Sequence, residues 1–383
     1  MKVSTYIRVI LAAAGLYVPL AAAEGVFDTV VDPQDGHLDA SEWLLDKKGF
    51  LPVPIIITEP AVGYGAGLAL LFFRESIREK AAEGAKTVRE APPDIFGVFF
   101  AETENDTKFV GGGGMFTFLN DQWRYRGGVG RSEIHLDFFG AGGDLGTGDR
   151  KIGYTLEGWV SSHQVMRRIG DTDHLMALRW VWFDLESRFE SDKTRPMLSS
   201  RETARTGSGV GPSWERDTRD NIMTPSRGWF AAIDTLFFSP SFGSDNTYQT
   251  YRTRALGYIP FGASFVLGAR LDGSTARGDV PFYQLPYIDL RGIPAMRFQD
   301  ESVGMAELEL RWNFTPRWAL VGFTGVGYAW GRQAGFSDAL SESTEGIGMR
   351  YQIARRLGLY AGIDVAWGPE DTALYIQVGS AWR

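Results

Sequence analysis

The chain has no cysteine among its 383 residues, so no disulfide staples it and no thiolate can bind a metal. Histidine is nearly as scarce, at four. Neither a His-x-x-x-His pair nor a Gly-x-Ser-x-Gly elbow occurs, which removes two common hydrolase signatures. No cofactor and no metal is expected. A basic block is missing too, and acidic residues outnumber basic ones by 47 to 39, a balance that suits no nucleic-acid partner. Finally, no apolar run reaches the roughly 18 residues that a spanning helix needs. A helical membrane protein is excluded.

Glycine and aromatic residues are what the chain has in quantity. Its 47 Gly, 12 Trp, 14 Tyr and 25 Phe suit tight turns, barrel bends and interfacial girdles. The stretch from Pro281 to Trp330 shows their use. An irregular segment, 281–301, carries Leu290-Arg291-Gly292-Ile293 and precedes two alternating runs. In the first, Leu308, Leu310, Trp312 and Phe314 share one parity and Glu307, Glu309, Arg311 and Asn313 the other. Period two places these sets on opposite faces of a strand. A soluble sandwich could do this with its charges in water. The recurrence of the pattern, with Trp and Tyr at run ends, fits a membrane barrel better.

Residues 1–23 read as a secretory signal peptide. Lys2 and Arg8 precede the apolar run Val9 to Leu20, and Ala21-Ala22-Ala23 offers a cleavage site. Its removal takes away two positive charges and moves the formal net charge from −8 to −10. Residues 24–49 then form a short periplasmic leader and 50–383 the barrel. In the leader, Asp35-Gly36-His37-Leu38-Asp39 with Glu42 resembles half of a calcium loop. The first and third positions would be Val31 and Pro33, where oxygen ligands are required. A capped helical turn over Asp39 to Lys47 fits the residues better.

Sixteen strand-like runs follow: 50–58, 62–73, 95–104, 107–119, 122–137, 150–162, 174–187, 204–215, 227–239, 246–259, 262–273, 303–314, 318–330, 344–354, 357–367 and 371–382. An even count suits a single-chain outer-membrane barrel. The mixed charges of 74–94 predict a solvated loop, a short amphiphilic helix being the alternative. Gly111 to Gly114 fall inside a strand, where they allow a bend or a close backbone approach. The faces can be written out. Ile152, Tyr154, Leu156 and Val160 oppose Lys151, Glu157 and Ser161; Phe265, Leu267 and Leu271 oppose Arg270 and Asp272; Leu374, Ile376, Val378 and Trp382 oppose Tyr375 and Gln377. One set of each pair is predicted to meet lipid and the other the lumen. The fold class is an all-β, transmembrane antiparallel β-barrel, closed because an open edge in lipid would leave backbone groups unpaired.

Ser161 and His163 lie two apart on one face, roughly 6–7 Å at strand rise, the start of a nucleophile–base pair. The parity of Glu157 turns that face to the lumen, and no orienting carboxylate is evident. Two polar lumen residues are expected there and no enzyme.

Trp214-Glu215-Arg216-Asp217-Thr218-Arg219-Asp220-Asn221, followed by Pro225 and Gly228-Trp229, resembles the strand-turn-strand signature of the BamA/TamA superfamily, the bacterial surface antigen family. Leu290-Arg291-Gly292-Ile293 is similar to that family's Arg-Gly loop, and Glu309 stands where the family places a lumen-facing glutamate. The chain's last residues, Gly379-Ser380-Ala381-Trp382-Arg383, resemble the signal read by the barrel assembly machinery, with one extra residue. The resemblance is firm over 204–383 and weaker over 50–203. Three features depart from the family pattern. Only 24–49 stand where the family carries POTRA modules, Ile293 replaces an aromatic, and Gly325 stands where Phe-x-Asp-x-Gly would supply an aspartate.

The resemblance implies an outer-membrane protein that assists insertion or translocation of proteins or lipids at a weak barrel seam. The alternative is a passive pore or structural surface barrel on the same fold. Implied partners are outer-membrane lipids including lipopolysaccharide, the assembly machinery for the chain's own insertion, and a client protein or lipid. The long loop is expected to fold into the lumen, with Arg291 and Gly292 locked there by Glu309 or by Glu307 on the same face. Asp217, Arg219 and Asp220 are expected to form a polar cluster at the turn. The seam is expected between the first run, with Pro52 and Pro54, and the last, with Ile376 and Trp382. The two prolines share a parity, so both missing donors lie on one edge, facing either the last strand or the second.

Overall fold

A computed structural model describes residues 30–84, 92–140, 151–189, 203–331 and 335–382. The signal-peptide segment 1–23 lies outside the described residues.

Sixteen antiparallel strands form one sheet in simple chain order. They are β1 (Gly49–Glu59), β2 (Gly63–Phe73), β3 (Ile95–Thr103), β4 (Lys108–Phe118), β5 (Trp123–Phe138), β6 (Ile152–Arg168), β7 (His174–Phe189) and β8 (Thr203–Asp217), then β9 (Gly228–Phe238), β10 (Tyr248–Phe261), β11 (Phe265–Gly278), β12 (Ser302–Asn313), β13 (Trp318–Trp330), β14 (Leu340–Ala354), β15 (Leu359–Trp367) and β16 (Thr372–Val378). Each predicted run is a strand. The sheet curls into a nearly closed barrel. The outward parity carries the exposed apolar residues, among them Leu308, Leu310, Trp312, Leu320, Ile347, Ile363 and Ile376. The inward parity carries the buried ions, such as Glu307 and Asp364.

With an even number of strands both chain ends lie at one end of the barrel. That end has the shorter turns, such as 262–264, 314–317 and 355–358, and the other has long loops such as 279–301. This is the asymmetry between periplasmic and extracellular ends of outer-membrane barrels.

Two features differ from expectation. Residues 74–94 are not only loop: α2 (Ile77–Gly84) forms there, and Arg78 pairs with Glu42 and Asp46, both at 2.6 Å. These side chains stay half-exposed, so the charges remain solvated as expected and it is the backbone that differs, being helical. The faces of β6 are also the reverse of expectation. Tyr154 and Leu156 point inward and pack with Phe183, Leu185, Phe238, Tyr248 and Tyr283. At this outer end of the barrel the lumen is filled by the loop after β11, which presents Phe282, Tyr283 and Met296. An apolar plug makes an apolar inner face, and Glu157 on the outer face pairs with Arg131 and Arg188 instead.

Candidate functional site: the lumen lock and the barrel junction

The loop 279–301 enters the lumen as a short folded unit. Tyr287 bridges Gln299, the Ile288 N–H donates to the Phe298 carbonyl at 3.0 Å, and Ile288, Leu290, Ile293 and Phe298 pack with Val303 and Ala329 of the wall. This packing fixes Arg291, which is 8% exposed. Its Nε donates to Glu307 Oε1 at 2.7 Å, and its Nη1 lies 2.8 Å from Glu309 Oε2 and 2.9 Å from Asp364 Oδ2. The guanidinium plane also lies 3.5 Å from the Phe323 ring centroid. The Gly292 N–H, at a positive φ of 96°, donates to the Tyr375 hydroxyl at 2.9 Å. A buried guanidinium is tolerated when carboxylates surround it, and three do.

Asp364 is the residue that sequence reasoning missed. Gly325 leaves the family's aspartate position empty because Leu290 covers it; a Cβ there would lie 2.9 Å from Leu290 Cδ2. The missing carboxylate comes from β15, two strands away, where Arg350 also grips Asp364. The available signal was a lone charge on the inward parity of Ile363-Asp364-Val365. Arg270 joins the group, pairing with Asp272 at 2.7 Å and Asp289 at 3.0 Å.

Trp382 is a second correction. Placed on the lipid face and in the seam by parity, it stands in the lumen, 4% exposed. Strand β16 stops at Val378, and Gly379 turns the chain inward with φ 89°. The Ser380 N–H then donates to Met223 O at 2.5 Å. The Trp382 indole donates to Glu307 Oε2 at 3.0 Å and the ring packs on Tyr258. Alternation ends with the ladder, so parity could not be carried past Val378.

The turn residues do more than close a hairpin. Asp217 accepts from Arg219 Nε and Nη2 at 2.8 and 2.7 Å, and Asp220 Oδ1 accepts the Ser226 and Arg227 N–H groups. Held this way, segment 218–227 reaches across the barrel end. Asn221 donates to Leu357 O at 2.7 Å, and Arg311 donates to Ser226 Oγ at 2.7 Å. Ser161 and His163 are hydrogen-bonded at 2.8 Å, but outside the barrel, since their parity is that of exposed Trp159 and Val165. The other ring nitrogen meets the Tyr125 hydroxyl at 2.6 Å and not a carboxylate.

Among the described residues no ladder joins β16 to β1; every other neighbouring pair has one. The direction of β1's backbone follows from Tyr64. Its N–H and C=O both bond Glu104, on the β3 side of β2. Backbone groups in an antiparallel strand alternate in direction, and the β1–β2 register is unbroken through Pro54↔Leu68 and Pro52↔Leu70. Both positions are an even number of residues from Tyr64. Pro52 and Pro54 therefore turn their ring nitrogens away from β2, onto the free edge that faces β16. On β16, Ile376 has its side chain in the outer face.

Side chains cross this junction at both ends. On the extracellular end the lumen loop touches both flanks: the Ala295 N–H donates to Glu59 of β1 at 2.9 Å, and Arg297 pairs with Glu370 after β15. At the other end lies the leader. Arg317, 3% exposed, is held by Asp32 at 2.6 Å, Asp35 at 2.7 Å and also Asp39. Those aspartates hold a guanidinium where half a calcium loop was considered. The helical turn α1 (Ser41–Leu45) then places Glu42 between Arg356, in the β14–β15 turn, and Arg78 of α2.

A plugged, nearly closed barrel with a loop arginine in a nest of carboxylates defines a class of outer-membrane protein. The Omp85 superfamily domain model matches residues 117–368, and the chain belongs to that family. The match reaches well ahead of residue 204, from which the resemblance is firm, and of Trp214, where the motifs begin. Among solved structures it is similar to BamA from Haemophilus ducreyi lacking POTRA domains 1–3, at 13% identity and a TM-score of 0.58, covering 87% of this chain and 69% of that one. It is also similar to CdiB from Acinetobacter baumannii (10%, TM-score 0.55, 86% of this chain and 59% of that one). CdiB from Escherichia coli compares likewise, at 11% and 0.54, covering 85% of this chain and 61% of that one. No curated protein matches the sequence.

Proposed function

We propose that this barrel assists the insertion or translocation of proteins or lipids at the outer membrane, and that the β1–β16 junction is the working part. The observation that carries the reading is the ladderless junction with two proline nitrogens on its free edge. Each absent backbone bond forgoes about 0.5–1.5 kcal/mol net, and more in lipid, where no water replaces it. The loop is folded into the lumen and locked to its wall, which favours this reading over a passive pore. Lipopolysaccharide and other outer-membrane lipids are the surroundings it acts in, the assembly machinery inserts it after signal cleavage, and a client protein or lipid is its substrate. Paired cysteines across 55–57 and 376–378 test it, since the chain has none of its own. In cells that require the protein, oxidative locking is expected to abolish function and reduction to restore it. Function unaffected by a complete lock would sink the proposal.

A further inference from the structure

The lumen is polar along most of its circumference, but not next to the junction. From β5 onward the inward parity carries Arg126, Arg179, Asp234, Arg254, Asp272 and Arg350. On β1 to β4 it carries Leu51, Val53 and Ile55, then Ala69 and Leu71, then Ile95 and Phe99, then Phe109 and Met115, with glycines between. The outward parity of the same strands is also apolar, with Phe50, Leu68, Leu70, Phe96, Val98 and Phe100 exposed. Away from their ends, where Glu59, Thr103 and Thr117 stand on the inward parity, four adjacent strands are thus apolar on both faces. Sheets of that kind have both faces covered by apolar material.

A cavity of about 350 Å³ is lined mainly by the inward Ala69, Leu71, Ile95, Gly97, Phe99 and Met115, with Phe96 and Val98 of the other parity also at its wall. That is near the lower end of the roughly 300–1,000 Å³ range of ligand pockets. Its floor is bare because the glycines of β4 face those of β5: Gly113 pairs with Gly128, and a Cβ on Gly113 would lie 2.5 Å from Gly127 O. The lining offers hydrocarbon and no charge, and it belongs to β2, β3 and β4, whose backbone groups are committed to ladders on both edges. A peptide would bring amides needing partners; a hydrocarbon chain brings none. The inner surface is also continuous with the lipid-facing one around the edge of β1, where no ladder intervenes.

We propose that the inner wall of β1–β4 binds a hydrocarbon chain, and that its occupant is an acyl chain of a membrane phospholipid. It lies along Leu71, Phe99 and Met115, while the headgroup stays with the polar surface at the barrel end. The site rests on the proposed working junction only for its route of access.

The experiment uses the wild-type protein in bilayer nanodiscs with a phospholipid carrying a diazirine in the acyl tail, and maps adducts by peptide mass spectrometry. Adducts on inward Leu71, Phe99 and Met115 are expected in yields comparable to those on outward Leu68 and Phe100, which do not line the cavity. In Ala69→Asp the inner yield is expected to fall about tenfold or more, because a buried carboxylate is costly beside hydrocarbon, with the outer yield unchanged. Adducts confined to outward residues in the wild type would overturn the proposal, whatever that variant does. So would cross-links to the same wall from a photoreactive phenylalanine analogue placed at Phe27, which would make the chain's own leader the occupant. Repeating the measurement after locking the junction separates site from route: inner adducts that persist keep the site and remove the route.

Discussion

Arg291 is held by carboxylates from three places in the sequence, and their costs are unequal when it is lost. Arg291→Ala leaves Glu307 and Asp364 buried without it. Breaking a buried pair by removing one partner costs about 3–5 kcal/mol. We expect a barrel that unfolds at clearly lower urea concentration, with loop 279–301 opened to protease. Asp364→Asn is expected to loosen the loop as well, although no family motif marks that position, and adding Gly325→Asp should not rescue it because Leu290 occupies the space. A double variant as stable as wild type would refute this. Glu307 and Glu309 were legible because a strand's parity puts both on the lumen face. Asp364 was not, since its meeting with Arg291 spans 73 residues and depends on where β15 falls in the sheet.

At the scale of elements, the leader and the 218–227 turn are both fixed by charges at the barrel end. The hydrogen bond from Arg317 holds Asp35 down at about 2, from its ordinary 3.8. For Asp39, burial pushes upward, but hydrogen bonds from Ser41 and Arg317 leave it below the usual range. A carboxylate depressed in the folded state stabilises it above its unfolded pKa and loses that contribution as pH falls through the folded value. Leader docking should therefore be complete at pH above 3.8 and fail as pH drops toward 2. Pepsin, active across this window, should cleave within 30–48 only at its acid end, whereas Arg317→Ala should be cut throughout. Cleavage of the wild type at the upper end would show that the clamp is not what holds the leader. The turn gives a second prediction. Asn221→Ala removes the bond to Leu357 O, at a cost of about 0.5–1.5 kcal/mol. It should speed amide exchange at residues 356–360 as well as in its own turn; exchange raised in the turn alone would make the cluster purely local. The sequence motif announced the turn but not its reach, because nothing local encodes which opposite strand a turn will touch.

Across the whole molecule, the strand count and chain-order topology were legible because lipid enforces period two on fifteen ladders. The facing of β6 was not. Inward apolar and outward charged residues beyond the bilayer invert the usual pattern, and sequence does not mark where the bilayer stops. The proline edge became decidable only through the direction of Tyr64's backbone. It leads to a prediction about the barrel itself. Pro52→Val with Pro54→Val restores two donors on the free edge, each worth about 0.5–1.5 kcal/mol if β16 accepts them. The double variant should unfold more slowly, show slower exchange along β16, and support less activity in cells. Slower unfolding with exchange altered only in β2 would place those donors on the other edge.

The two tethers across the β1–β16 junction, Glu59 and Glu370 through the lumen loop at one end and Glu42 between Arg356 and Arg78 at the other, set the shape of any gap between them. A junction fastened at top and bottom parts like a buttonhole and not like a door. Under the proposed function its width would be limited by how far two strands bow, so it would pass things that are slender along their length, a single extended segment or a lipid tail taken endwise, and would turn away anything already folded.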